Sequence, residues 1–360
     1  MTGHEFVQRV NARCEAFLAA KREQITAISP DGAALVDSLA ALTSGGKKLR
    51  PVLAWLGWRA AGAEAEAAAP EHLGAALELF QAAALVHDDV IDRSDTRRGQ
   101  PSTHRRFQAL HAELGFGGDA EHFGTTGAIL AGDLALAWAA EAYDEAEACA
   151  SGADLTGRRQ FRQMHTEVIT GQYLDVHTEV APSADSEAGA LARARAVLTY
   201  KSAKYSTEYP VILGCALAGA QPALTEQMAQ AALPVGVAFQ LRDDLLGVFG
   251  DPDLTGKPVG DDLREGKRTE LIAYGLFRSA APAREELNGM LGRSDLSEDD
   301  VDRAREILTT SGAVAAVEEE IEVLLEQSTR AVEHLRRRGV DAQVLSDFAA
   351  VSQRLVTRTS

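Results

Sequence analysis

Cysteine is almost missing. Only Cys14, Cys149 and Cys215 occur in 360 residues, an odd number, far apart and with no CxxC pair. Such a set argues against a disulfide framework and suggests reduced, mostly structural thiols in a cytoplasmic protein. Proline is scarce, at 11 residues, while alanine is abundant and nearly half the chain is hydrophobic. That balance favours helices over strands. Basic residues are outnumbered, 36 against 53 acids, for a formal charge of −17 with no long basic run. Nucleic acid and anionic membrane surfaces are therefore poor partners. No charge-free apolar run reaches the roughly 20 residues that span a bilayer, so no transmembrane segment is expected. The N-terminus lacks a basic stretch followed by an apolar core, which leaves no signal-peptide pattern.

What is present is helical periodicity from end to end. Residues 5–28 read as an amphipathic helix with Phe6, Val10, Cys14, Phe17 and Leu18 on one face. A Gly-rich, basic turn at 43–51 precedes a helix over 52–61, with Pro51 suited to its first turn. The spacing predicts further helices over 71–92, 127–150, 157–180 and 186–205, and one starting at Pro210. Another runs over 224–249, crossing Pro234 at a kink. Residues 94–125 read as a polar connection holding a short helix, and 250–267 as a loop rich in Gly, Asp and Pro. Five shorter helices follow, at 269–279, 283–291, 298–311, 313–337 and 342–354. No set of period-2 strands and no linker composition interrupts them. The expectation is an all-α fold, a single domain over 1–360 built as a bundle of ten or more helices.

Two acidic clusters carry the chemistry. Asp88, Asp89, Asp92 and Asp95 close the apolar helix at 71–92, on positions i, i+1, i+4 and i+7 that share one side. Acids on a helix usually form a solvated face, but these continue a stripe that is apolar one turn earlier. Carboxylates crowded against an apolar surface need a cation, and hard oxygen ligands suit Mg²⁺ or Mn²⁺. Asp243 and Asp244 form a second cluster within another apolar helical segment, with Asp251 just beyond. Two such clusters facing one another across a cavity would suit several Mg²⁺ ions holding a polyanion such as diphosphate. Basic candidates for that anion sit at the ends of the same helices: Lys47, Lys48 and Arg50 ahead of a helix N-terminus, Arg97 and Arg98, Lys201, Lys257 and Lys267.

These residues carry a resemblance to the trans-isoprenyl diphosphate synthases of the polyprenyl synthetase family, over most of the chain. Gly46-Lys47-Lys48-Leu49-Arg50-Pro51 resembles the motif that binds the diphosphate of isopentenyl diphosphate. His87-Asp88-Asp89-Val90-Ile91-Asp92 with Arg97-Arg98-Gly99 resembles the first aspartate-rich motif and its arginines. Gly171-Gln172-Tyr173-Leu174-Asp175 matches the GQxxD segment, and Lys201-Ser202 resembles a Lys-Thr pair. Phe239-Gln240-Leu241-Arg242-Asp243-Asp244 matches the core of the second aspartate-rich motif, followed by Gly256-Lys257 and Gly266-Lys267. One departure stands out: where the family pattern ends in a further aspartate, this chain has Gly247.

The resemblance implies a helical bundle around a deep central cavity, usually as a homodimer. It also implies condensation of isopentenyl diphosphate with an allylic diphosphate, assisted by Mg²⁺, three ions in all, with Mn²⁺ as a substitute. Asp88, Asp89, Asp92, Asp243 and Asp244 would hold the metal, Asp243 bearing most of the second site. Arg97, Lys201 and Lys257 would charge-balance the leaving diphosphate, with Gln172 and Lys267 also on the substrate. Ser202 and Gln240 would face the allylic cation. Lys47, Arg50, Gln81 and Arg98 would hold isopentenyl diphosphate. In this family a large residue four or five positions before the first aspartate stops chain growth early. Here Ala84 and Ala83 leave that turn open, and Phe80, about 12 Å along the axis from Asp88 at roughly 1.5 Å per residue, can form a floor. Geranylgeranyl diphosphate is the expected product, with farnesyl or longer polyprenyl diphosphates as alternatives.

Rival readings differ in what they require. A class I terpene cyclase would carry an Asn/Asp-Ser/Thr-Glu metal motif in place of Asp243-Asp244 and has no use for Lys47 and Arg50. A di-iron bundle needs Glu-x-x-His pairs, and no Glu precedes any His by three positions. A catalytically silent partner subunit is consistent with Gly247 but not with intact Asp88, Asp89 and Asp92.

Overall fold

The computed structural model describes residues 1–97, 99–150, 155–182, 184–250 and 260–357. Its elements, in order, are α1 (Gly3–Ile28), a 3₁₀ turn (Pro30–Gly32), α2 (Ala33–Thr43), α3 (Leu49–Ala60) and α4 (Ala69–Ile91). A two-stranded ribbon, β1 (Thr96–Arg97) and β2 (Gln100–Pro101), leads to α5 (Thr103–Glu113), α6 (Ala120–Cys149) and α7 (Leu155–Val180). Next come α8 (Glu187–Val197), a π-wound segment (Leu198–Glu208), α9 (Tyr209–Leu217) and α10 (Pro222–Phe249). Six helices complete the chain: α11 (Asp261–Glu265), α12 (Glu270–Arg278), α13 (Ala281–Met290), α14 (Glu298–Thr310), α15 (Ala313–Arg337) and α16 (Ala342–Val356). The all-α expectation holds. Contacts divide the chain into two compact units, Met1–Arg158 with Leu213–Gln221 and Arg159–Ile212 with Pro222–Ser360.

In the first unit α4 packs chiefly along α6, with α1 and α3 also against it. The abundance of small residues explains how closely these helices approach. Gly124, Ala128, Ala131, Gly132, Ala135, Ala139, Ala142 and Ala146 make up most of the buried face of α6, with Trp138 and Tyr143 among them. At Gly132 a Cβ would overlap the far end of the His87 ring, which a larger residue would have to displace. Leu73, Leu77, Leu79 and Phe80 of α4 are fully buried; each contributes about 1.5–3 kcal/mol. Phe6 of α1 stacks on Trp55 of α3 with ring centroids 5.1 Å apart. Among the described residues α6 alone is long and apolar enough to cross a membrane by length and composition. Its small-residue face packs against α4 and α5. Burial pushes the thiols of Cys14 and Cys215 up to about 12; both are inert at neutral pH.

In the second unit α10 packs against α15 and the π-wound segment. Pro234 lies inside α10 without ending it. A helical proline deprives carbonyls one turn earlier of their usual donor. The carbonyl so affected is that of Gln230; neighbouring hydroxyls bind the next two carbonyls, Ser328 Oγ donating to Ala231 at 2.8 Å and Thr207 Oγ1 to Ala232 at 2.8 Å. Arg195 of α8 binds Glu270 of α12 through two nitrogens and reaches Glu320 of α15 at 2.9 Å.

Three expectations change in detail. Residues 186–205 form α8 and then an 11-residue π-wound segment, which continues to Glu208. Two glycines let neighbours close on that segment: a Cβ at Gly171 would overlap the Tyr200–Lys201 backbone, and one at Gly236 would lie 2.5 Å from the Ala203 carbonyl oxygen. The connection at 94–125 contains the ribbon and α5, and α6 starts at Ala120 because Asp119 caps it, accepting from the Glu121 and His122 amides at 2.9 and 3.2 Å. The 250–267 loop contains α11, a short helix set off by left-handed Gly260 (φ 71°) and Gly266 (φ 79°).

Gly236→Ala should destabilise the protein by about 1–3 kcal/mol, because the added methyl meets the Ala203 backbone as well as Thr207 Oγ1. Urea unfolding measures this. An unchanged midpoint would show that the π-wound segment does not depend on that approach.

Candidate active site

The first acidic set sits at the C-terminal end of α4. Gln81, Ala84, Leu85, Asp88 and Asp92, at i+3 and i+4 spacings, are half-exposed, whereas Phe80, Ala83 and Asp89 are buried. The helix therefore presents Gln81, Ala84 and Asp88 on one open stripe and turns Phe80 and Ala83 into the packing. Asp89 is fully buried, and Arg97 is its partner. The ribbon β1–β2 folds Arg97 back so that its Nε lies 2.8 Å and its Nη2 2.5 Å from Asp89 Oδ1, with Asp88 Oδ2 at 3.1 Å from Nη2. Burial works against the guanidinium charge, but the two carboxylates more than offset it and hold Arg97 above its ordinary value. Asp89 thus anchors the arginine that balances Asp88.

The basic turn before α3 separates its two lysines. Lys47 is exposed, while Lys48, in the left-handed region at φ 45°, is buried. Its Nζ lies 2.5 Å from the Thr43 carbonyl and 2.7 Å from Glu78 of α4. Lys48 is a strut between the turn and α4. Lys47 and the half-exposed Arg50 remain at the surface.

The second acidic set lies on α10. Asp243 and Asp244 are both half-buried, and Gln240 Nε2 donates to Asp244 Oδ1 at 3.1 Å. Burial, then the charges of Asp262 and Asp243, pushes the Asp244 carboxyl well above the usual carboxylate range, against the pull of Gln240 and Lys267. Lys267 Nζ lies 3.3 Å from Asp262 Oδ1 and also pairs with Glu265. In the same unit Lys201, on the π-wound segment, binds the buried Asp175 of α7 at 2.5 Å. Ser202 follows it, half-buried, and Gln172 is half-exposed on α7. Arg98, Asp251 and Lys257 lie outside the described residues.

Three contributors were not singled out from sequence: Glu78, Asp175 as the seat of Lys201, and Asp262. A heptad-like reading of α4 would have put Glu78 on the Asp88 side. Nothing local marks Asp262, which acts on residues of another helix.

Oxygen donors dominate both sets. Among the described residues no group of three His, Cys, Asp or Glu side chains closes on a point as a metal cage would. That donor set fits Mg²⁺, which is commonly held by one or two carboxylates, waters and substrate phosphate oxygens rather than by an all-protein cage.

Comparison with known proteins decides the class. Residues 33–308 match the polyprenyl synthetase family. The chain belongs to the polyprenyl synthetase family. It is accordingly a prenyltransferase, a polyprenyl diphosphate synthase. A geranylfarnesyl diphosphate synthase of Aeropyrum pernix is 32% identical over 294 residues, 81% of this chain and 84% of that one. A short chain isoprenyl diphosphate synthase of Methanothermobacter thermautotrophicus is 31% identical over 327 residues, covering 86% of this chain and 90% of its own. The crystal structure of a geranylgeranyl pyrophosphate synthase from Corynebacterium glutamicum, complexed with isoprenyl diphosphate and magnesium, superposes with a TM-score of 0.90 at 37% identity. That match covers 99% of this chain and 100% of the other. This polyprenyl synthetase thus has relatives named for different product lengths.

The two adjacent lysines should separate in experiment. Lys48→Ala leaves Glu78 without its buried partner and should cost about 3–5 kcal/mol of stability in urea unfolding. Lys47→Ala, at the surface, should leave the unfolding midpoint within about 0.5 kcal/mol of wild type. Equal midpoints for the two variants would contradict the assignment of Lys48 as a strut.

Proposed function

We propose that this polyprenyl synthetase condenses isopentenyl diphosphate with an allylic diphosphate head to tail and releases geranylgeranyl diphosphate. The observation that carries the product length is Ala84. It is the half-exposed position one turn before Asp88, and it offers only a methyl group to a growing chain. The comparison with a geranylgeranyl pyrophosphate synthase at 37% identity supports the same reading. Phe80 is the proposed stop further up the helix, acting from the buried flank.

In this proposal Asp88, Asp92, Asp243 and Asp244 are the metal ligands, and Asp89 serves the same set by fixing Arg97. Mg²⁺, when bound, neutralises the diphosphate and stabilises the charge it gains on leaving. Arg97, Lys201 and Lys267 add fixed positive charge to that anion. Each is paired with a carboxylate, at Asp89, Asp175 and Asp262, so its position does not have to be organised during the reaction. Arg98 and Lys257 are proposed to add to them. Ser202 and the side-chain amide of Gln240 supply dipoles toward the allylic cation, and Gln172 orients substrate. Lys47, Arg50, Gln81 and Arg98 hold isopentenyl diphosphate so that its double bond attacks. The departing diphosphate takes up the proton, which leaves no protein base to be found. Each tenfold in rate corresponds to about 1.4 kcal/mol, so several of these charges must act together.

The protein is further proposed to act as a homodimer. On α6, Ile129 and Leu130 are exposed on the side away from the small-residue face.

Incubation with Mg²⁺, isopentenyl diphosphate and each allylic primer, followed by chromatography of the products, should give geranylgeranyl diphosphate as the main species. Asp243→Ala should abolish turnover; a near-normal rate in that variant sinks the assignment of the second acidic set. Phe80→Ala should lengthen the product, and an unchanged product spectrum removes Phe80 as the stop. In light scattering the wild-type mass should be twice that of the chain, and Leu130→Arg should lower it towards the monomer. A wild-type mass of one chain would overturn the dimer.

A further inference from the structure

The π-wound segment carries a second lysine that the proposed reaction does not use. Lys204 follows Lys201 by three residues, and its ammonium is engaged within the protein. Its Nζ lies 2.8 Å from Glu167 Oε2 of α7 and 3.7 Å from Glu208 Oε2. It also lies over two aromatic rings, 5.4 Å from the centroid of Tyr200 and 5.3 Å from that of Tyr209. The winding creates this cage. In a π turn an amide bonds five residues back, and the Tyr209 amide donates to the Lys204 carbonyl. Tyr209 therefore stands one turn along from Lys204. At 3.6 residues per turn, five residues would rotate its ring roughly 140° away.

Glu167 is held as firmly as the lysine. Gln163 Nε2 donates to its Oε1 at 3.1 Å, and the Tyr209 hydroxyl adds a further hydrogen bond. Burial works against the Glu167 charge, but the hydrogen bonds from Lys204, Gln163 and Tyr209 outweigh it and hold the carboxyl below its ordinary value. Burial pushes the Glu208 carboxyl the other way, so Glu167 is the standing anion beside Lys204. Glu167, Gly171 and Asp175, spaced four apart, share one side of α7. They meet the π-wound segment at three successive turns. Glu167 binds Lys204, Gly171 lies against the Tyr200–Lys201 backbone, and Asp175 holds Lys201.

We propose that Lys204 is a positioning residue for Lys201: fastened to Glu167 and to the two rings, it fixes where the π-wound backbone runs along α7, and so where the Lys201 ammonium stands. The inference rests on the reading of Lys201 as a fixed charge on the departing diphosphate. A lysine head sits on a flexible four-carbon stem. Asp175 secures the head of Lys201, and the Lys204 cage secures its root. Lys204 itself touches no substrate.

The test compares the full chain with and without Lys201. Lys204→Met/Glu167→Gln removes both charges of the pair and keeps their bulk, so its thermal midpoint should stay close to wild type. Tyr209→Phe is milder and deletes only the hydroxyl that binds Glu167. With Lys201 present, the paired variant should lower kcat roughly 10- to 100-fold, as a small misplacement of a charge does. Tyr209→Phe should lower it about 2- to 10-fold, the worth of one hydrogen bond. In both, the KM for isopentenyl diphosphate should stay within about twofold. Calorimetric affinity for an allylic thiolodiphosphate, whose C–S bond does not ionise, should weaken in the presence of Mg²⁺ by roughly the same factor as kcat. In a Lys201→Ala chain there is nothing left to position. There neither change should lower kcat or thiolodiphosphate affinity by more than about twofold further.

Undiminished kcat in a folded Lys204→Met/Glu167→Gln chain would overturn the proposal. So would equal losses with and without Lys201, since a lysine that only held the fold together would act in both. If the paired variant unfolds, Tyr209→Phe decides by the same comparison. Should the wild-type chain make no prenyl product, the proposed reaction falls, while the thiolodiphosphate measurement still decides the role of Lys204.

Discussion

A charge taken out of water must be met by an opposite charge, and this protein meets that requirement again and again with carboxylate–cation pairs. Asp89 holds Arg97, Glu78 holds Lys48, Asp175 holds Lys201, and Asp262 holds Lys267. Left alone, an ion in a low-dielectric interior carries a penalty of several kcal/mol, which a well-placed partner recovers in part. The pairs do more than neutralise. Three of the four cations are those assigned to diphosphate, and each is oriented by an acid at least nine-tenths buried in side-chain terms or close to it. Side chains as long as Arg and Lys lose substantial rotamer freedom when fixed. Here that loss is met on folding, before any substrate arrives.

The second constraint is the closeness of the helices. Gly171 against the Tyr200–Lys201 backbone and Gly236 against the Ala203 backbone each mark a point where a single methyl would not fit, and at Gly132 it would push the His87 ring aside. Gly171 and Asp175 lie one turn apart on α7, so the approach at Gly171 lies beside the Lys201–Asp175 pair. Close approach also explains the composition: a chain rich in alanine and glycine can bring backbones together where leucine would hold them apart. Gly247 belongs to the same pattern, with a carboxylate rather than a helix filling the space.

Much of this was legible in the sequence because it is local. Helical periodicity located α1, α4, α7 and α10 within a few residues, and the two acidic sets announced themselves as acids interrupting apolar stripes. The basic turn at Lys47–Arg50 was recognisable, but the different fates of Lys47 and Lys48 were not. Adjacent residues on a turn differ in direction by the backbone angles, and the left-handed φ of Lys48 is what sends it inward. The helix expected over 186–205 was correctly placed yet wrongly wound. A run of residues that suits an α-helix suits a π-helix nearly as well, and the choice belongs to the neighbours.

By itself the sequence determined the helical class, the two carboxylate sets and the family, since each depends on residue type and on spacing along one element. Only the tertiary structure decided where the acids point: Asp89 towards Arg97, Asp175 towards Lys201, Asp262 into the space over Gly247. Those pairings join residues 8, 26 and 15 positions apart in the chain. Electrostatic energy follows distance through space, and distance through space is what folding sets.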